Sequence, residues 1–154
     1  MSYREIGTYQ RRLDDLFKKA GSFDGDIEME SHWACYLCVL VCGYLEVSVR
    51  AALGHYVRSR ASAEVLRHVQ AGLNGFANPN MEKILQLVGS FDKDWRNELE
   101  EATKGEHKDA VDSIVDIRHA LAHGRSHGLT MSRITTYYKS AVKVVELLVA
   151  RCTA

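Results

Sequence analysis

The chain has 154 residues, 46% of them apolar and 26% charged, with 20 basic side chains against 20 acidic ones. That length is about one domain and buries a continuous core without staples, and the composition excludes disordered and fibrous classes. The balanced charge excludes a general electrostatic pull on nucleic acid, so any RNA binding has to come from local positive charge. Long stretches show helical periodicity and none shows a sustained alternation, which predicts an all-α antiparallel helical bundle with extra short helices, residues 1–154 forming one domain.

The first helix is expected over 3–20, whose mixed polar and charged residues do not read as a secretory signal. Residues 21–26, Gly-Ser-Phe-Asp-Gly-Asp, are a break. A long second helix is predicted over 28–58. Its most apolar run, 33–45, is too short to span a bilayer and stops at Glu46, so a soluble, cytoplasmic protein with no membrane partner is expected. Ser62 caps a third helix to about 71, and 72–80 is a loop. Further helices are expected over 81–88, from Asp92 to about 102, and over 106–122, where Gly124 is placed to end the helix. Thr130 or Ser132 starts the last one, which ends near Arg151.

Between Trp33 and Leu53 the only formally charged residues are Glu46 and Arg50. Cys35, Val39, Cys42, Glu46, Val49 and Leu53 share one face of the second helix, and Leu37, Leu40, Val41, Tyr44 and Val47 line the other. A helix apolar all round is central and buried, so Glu46 is expected to be desolvated and to need a partner, with Arg50 and Arg118 as candidates. Two readings stand: a structural ion pair that fixes helix register, or a site residue that orients an arginine. Cys35, Cys38 and Cys42 recur at helical spacing. A structural zinc site wants four ligands, and the only other cysteine is Cys152, so these are read as free thiols acting as small apolar residues.

On the 106–122 helix, Val111, Ile114, Val115, Leu121 and Ala122 form an apolar stripe. Arg118 sits near its centre, about 20° from Val111. A permanent guanidinium there needs an anion: Glu46, a partner subunit or a ligand phosphate. Asp112, Asp116, His119 and His123 fall within about 60° on a polar stripe, as a solvated face would. Histidines at i and i+4 also suit a metal. However, the Glu of the HExxH pattern is missing, no distant third ligand stands out, and His127 would have to fold back, so no metal or other cofactor is assigned. Arg and His together suit phosphodiester chemistry, because His moves protons near neutral pH and Arg holds a phosphate in a fork. In a regular helix Arg118 and His123 point about 140° apart. They converge only if the helix ends between them or if two chains build one cleft.

The pattern Arg118, four residues, His123, then Gly124 resembles the signature of HEPN domains. Four further blocks resemble the RiboL-PSP branch of that family: Gly43-Tyr44-Leu45-Glu46-Val47-Ser48-Val49-Arg50, Asn78-Pro79-Asn80-Met81-Glu82-Lys83-Ile84-Leu85, Gly89-Ser90-Phe91-Asp92-Lys93-Asp94-Trp95 and Ala122-His123-Gly124-Arg125-Ser126. The resemblance implies a helical bundle that pairs into a homodimer, with a cleft lined by Arg and His of both chains. It also implies a metal-independent endoribonuclease, often a toxin or antiphage effector under a cognate antitoxin or other regulator. The alternative is a non-catalytic RNA-binding or protein-interaction module with the same dimer. In the catalytic reading Arg118 and His123 are the reacting pair, His119 positions RNA, Glu46 and Arg50 support, and Arg125 adds charge at the cleft mouth. Two departures matter. His119 stands where HEPN motifs often carry Asn, and an imidazole either replaces the amide as a donor or disturbs the site. Some HEPN toxins carry a Tyr that their antitoxin modifies two places after the motif His. Arg125 occupies that place here, which argues against such control.

Overall fold

Helical periodicity and a good supply of capping side chains set the elements. The computed structural model describes residues 3–21 and 25–154, and among them there are seven helices and no strand. They are α1 (Tyr3–Ala20), α2 (Ile27–Arg58), α3 (Ala63–Asn74), α4 (Met81–Phe91), α5 (Lys93–Thr103), α6 (Glu106–Ala122) and α7 (Met131–Thr153). Asp26, Ser62, Asn80, Asp92 and Thr130 each accept a hydrogen bond from a backbone N–H of the helix that follows. Such a cap contributes about 1 kcal/mol. Of the predicted break at 21–26, Ser22, Phe23 and Asp24 lie outside the described residues.

Two helices run past their predicted ends. α3 passes through Gly72, because one interior glycine costs only about 1 kcal/mol relative to Ala and Leu73, 4% exposed, anchors the added turn in the core. α4 likewise continues through Gly89 to Phe91, where Asp92 ends it and at the same time caps α5.

α2 is the central element and packs against α1, α3, α6 and α7. By length and composition alone it is apolar enough to cross a membrane, but 67% of its most apolar window is buried inside the bundle. The predicted 33–45 run therefore understates its apolar length. The sequence predicts an α2 buried all round, and the structure corrects this. Leu37, Cys38, Val41, Tyr44, Leu45, Val49 and Leu53 are fully enclosed, while Tyr36 and Val39 are 50% and 41% exposed. Its neighbours cover most of the helix and leave one strip open, and Glu46 and Arg50 lie half-buried beside that strip. Gly43 allows a close approach to α1. A Cβ there would meet the Tyr9 hydroxyl at 2.8 Å, and that hydroxyl donates to the Leu40 carbonyl at 3.1 Å.

α7 spends its apolar face on the core: Ile134, Tyr138, Ala141, Val145 and Leu148 are buried. The four cysteines are free, with Cys38, Cys42 and Cys152 buried. Burial pushes the Cys38 thiol up to about 12 and those of Cys42 and Cys152 up to about 11, so all three are neutral space-fillers at ordinary pH.

Candidate functional site

The site is built where the end of α6 and the loop between α3 and α4 meet the middle of α2. α6 ends as its sequence demands. Gly124 takes φ +73°, a conformation that favours glycine. The N–H of Gly124 donates to the Leu121 carbonyl at 3.1 Å and that of Arg125 to the Ala120 carbonyl at 3.0 Å, which closes the helix in a Schellman motif. His123 is the C-cap residue, and its N–H reaches the carbonyls of His119 and Ala120. The helix therefore ends at Ala122, but His123 keeps the helical bond to His119 and stays in helical register, so the helix end does not by itself turn it toward Arg118.

His119 and His123 are both exposed, and their rings meet edge to face with centroids 4.4 Å apart. Arg125 is exposed too. The loop beyond is pinned back on α2, because the His127 carbonyl accepts from the Ser31 hydroxyl at 3.2 Å and the Cys35 thiol at 3.4 Å. Among the described residues no three His, Cys, Asp or Glu side chains converge as a metal ion would require, and His119 and His123 remain a pair.

Arg118 faces the other way. It is half-buried, and its Nη1 donates to Asn78 Oδ1 at 2.7 Å. The N–H of Asn78 in turn donates to Glu46 Oε1 at 3.0 Å. Glu46 was expected to be buried and ion-paired with Arg50 or Arg118. It is instead half-buried, and among the described residues it forms an ion pair with neither. The reason is that the 75–80 loop enters between α2 and α6 and offers its own backbone. Arg50 is also taken by that loop: its Nε donates to the Phe76 carbonyl at 3.1 Å, and its Nη2 donates to the same oxygen. Glu46 and Arg118 remain close enough for both charges to act on the Cys42 thiol. Burial raises that thiol most, Glu46 raises it further, and Arg118 opposes.

The loop is fastened at its exit as well. Met81, the first residue of α4, donates its N–H to Asp112 Oδ1 on α6 at 2.8 Å, while Asn80 caps the N–H of Lys83 at 2.9 Å. Met81's N–H has no acceptor within its own helix, and a carboxylate is well placed at a helix N-terminus. Asp112 therefore has an anchoring role in addition to its place on the polar stripe.

The sequence reading placed Arg118, His119, His123 and Glu46 in one region but gave no role to Asn78. The available signal was the Asn-Pro-Asn turn at 78–80, which marks a tight loop without saying what its side chains meet. Ile117, 6% exposed, was missed from the α6 stripe, while Leu121 is half-buried and Ala122 is exposed. The exposed side of the site thus carries two imidazoles, and the inner side a guanidinium held by an uncharged side chain. Within the chain no hydrogen bond or ring contact joins Arg118 to His123.

No curated protein and no solved structure matches the chain. A family model described as RiboL-PSP-HEPN matches residues 5–154. With an all-helical bundle, an Arg-x4-His motif ending α6, and a match over nearly the whole sequence, the chain belongs to the RiboL-PSP branch of the HEPN domain family.

Proposed function

We propose that this protein is a metal-independent endoribonuclease that acts as a homodimer. The observation that carries the reading is a half-buried guanidinium, without a carboxylate partner among the described residues, on the same helix end as two exposed imidazoles, the adjacent His119 and, about one turn on, His123. Those groups match what cleavage by the substrate's own 2′-hydroxyl needs. A base takes the proton from the 2′-hydroxyl, and the 2′-oxygen bonds to the neighbouring phosphorus. The bond from phosphorus to the 5′-oxygen then breaks, and an acid returns a proton to that oxygen. His123 is the base or acid, and the same residue of a second copy supplies the other. Arg118 holds the phosphate and stabilises the charge that develops on it. His119 and Arg125 contact RNA.

Homodimerisation is supported by spare apolar surface on α2, at Tyr36 and Val39. α7, by contrast, buries most of its apolar residues within the chain. Light scattering at micromolar concentration should find a species of twice 17.3 kDa, and a monomer alone would remove the composite cleft. A regulated toxin or antiphage effector is the biological setting that suits such an activity. Expression should then arrest growth, and Arg118→Ala or His123→Ala should relieve the arrest.

The decisive experiment incubates purified protein with RNA in EDTA. Products should carry a 2′,3′-cyclic phosphate and a 5′-hydroxyl, and a 2′-deoxy sugar at the cleaved position should block cutting. Equal cleavage of the deoxy substrate, or loss of cleavage in EDTA, would point to water activated by a metal. A second reading, a non-catalytic RNA-binding module, is favoured by the lack of any bond between Arg118 and His123 within one chain. Binding of RNA without cleavage would establish it.

A further inference from the structure

Asn78 stands between the two charges of the inner site. Its side-chain oxygen accepts from Arg118 at 2.7 Å, and its backbone N–H donates to Glu46 at 3.0 Å. Its φ is +53°, and it is the only non-glycine residue with positive φ among the described residues. Asn tolerates that conformation better than most residues, and such positions cluster at functional sites. The loop that carries it is tied from both sides, by Arg50 at Phe76 and by Asp112 at Met81. The loop is thus a rigid support presenting one amide oxygen to one guanidinium.

The choice of an amide has a physical consequence. A carboxylate at this place would orient Arg118 equally well but would neutralise it and compete with any incoming anion. With no partner, a long side chain keeps its rotamer freedom and loses it only on binding. A neutral acceptor fixes the guanidinium through one of its five donors and leaves its charge and the remaining fork available. Glu46, which would otherwise be the obvious ion-pair partner, is occupied by the Asn78 backbone.

We infer that Asn78 is the positioning residue of this site, holding Arg118 oriented but un-neutralised for an RNA phosphate. The inference rests on the ribonuclease reading for its effect on cleavage, and the test separates the two. Asn78→Gly keeps the positive φ and the N–H to Glu46 and removes only the amide. It should melt close to wild type, with kcat lowered about 10–100-fold, the scale of loss when a reacting group is misplaced. Asn78→Asp keeps the acceptor and adds a charge. It should raise KM and make the slope of log affinity against log salt shallower by about one cationic contact, for a single-stranded oligonucleotide. A merely structural residue would change neither the kcat-to-KM split nor the salt slope. If both variants cleave as fast as wild type while Arg118→Ala is inactive, the inference is overturned and the nuclease reading stands. If wild type cleaves no RNA, the nuclease reading fails, and 15N spectra of the arginine side chains then decide the role of Asn78. The ordered Arg118 Nη signal should be lost in Asn78→Gly, and its persistence there would overturn the inference.

Discussion

The two halves of the site are built by opposite means. The inner half, Arg118 with Asn78 and Glu46, is assembled from three elements, is half-buried, and depends on hydrogen bonds between residues 32 and 40 positions apart. The outer half, His119 and His123, is one turn of one helix, exposed, with its geometry set by the Schellman closure at Gly124. The first is part of what stabilises the fold and the second is added to it. Under the proposed activity, a substitution that unfastens the inner loop, such as one at Glu46, should therefore change stability and chemistry together, whereas one in the outer half should change chemistry alone.

The largest expected effect tests the outer half. His123→Ala should lower the cleavage rate by roughly 10²–10⁴, the usual worth of a general acid or base, with the melting temperature close to wild type. A large drop in melting temperature in that variant would show that the histidine pair stabilises the fold and that the contrast is wrong. Arg118→Lys should also cleave poorly, since an ammonium cannot reproduce the fork that grips two phosphate oxygens.

The inner half should respond in stability. Glu46→Ala removes the acceptor of the Asn78 N–H and should cost about 1–3 kcal/mol by urea denaturation. That is less than breaking a buried ion pair would cost, because Glu46 is half-buried and bonded to a backbone group. Glu46→Gln retains an acceptor and should cost less. If the Ala variant is as stable as wild type, the bond from Asn78 to Glu46 does not help to hold the loop.

Asp112→Ala should cost about 1 kcal/mol, the usual worth of a helix cap, through the freed N–H of Met81. Its 2.8 Å ion pair with Lys108 adds little, because Lys108 is exposed and water reaches the pair. Lys108→Ala should therefore leave stability almost unchanged, which separates the two roles of the carboxylate.

The smallest effect concerns pH. Cys38 and Cys42 titrate higher in the folded state, up to about 12 and about 11, than the ordinary thiol value of 9.0. The unfolded chain releases those protons first, so their contribution is complete below about pH 9 and is lost as pH rises toward 11 and 12. Cys38→Ala should make the alkaline fall of stability shallower. At neutral pH a thiol reagent should label half-buried Cys35 before the enclosed cysteines, which react only as the bundle opens.

Much of the fold was legible because its signals are local. Ser62, Asp92, Thr130 and Gly124 each lie within four residues of the groups they satisfy, and the predicted helix boundaries they set agree with the structure. The 106–122 helix and its two histidines could be read in the same way, since i and i+4 on one helix meet whatever the rest of the chain does. The apolar content of α2 likewise made it the central helix. Which of its sides stays open was not legible, because that depends on how many neighbours pack around it.

The tertiary structure alone decided the partners of the charges. Glu46 and Arg118 are both visible in the sequence as charges among apolar residues, and each demands a partner. Nothing local says that the partner is a loop. The Asn-Pro-Asn turn predicts a tight bend, but whether that bend inserts between α2 and α6 depends on the packing of α3 and α4 against them. Once it inserts, the geometry of a hydrogen bond, 2.7 Å at Asn78 Oδ1 and 3.0 Å at its N–H, takes the place of the salt bridge that the pattern of charges suggested. Periodicity fixes which residues share a helix face, whereas contacts between residues 32 and 40 positions apart are fixed only when the helices pack.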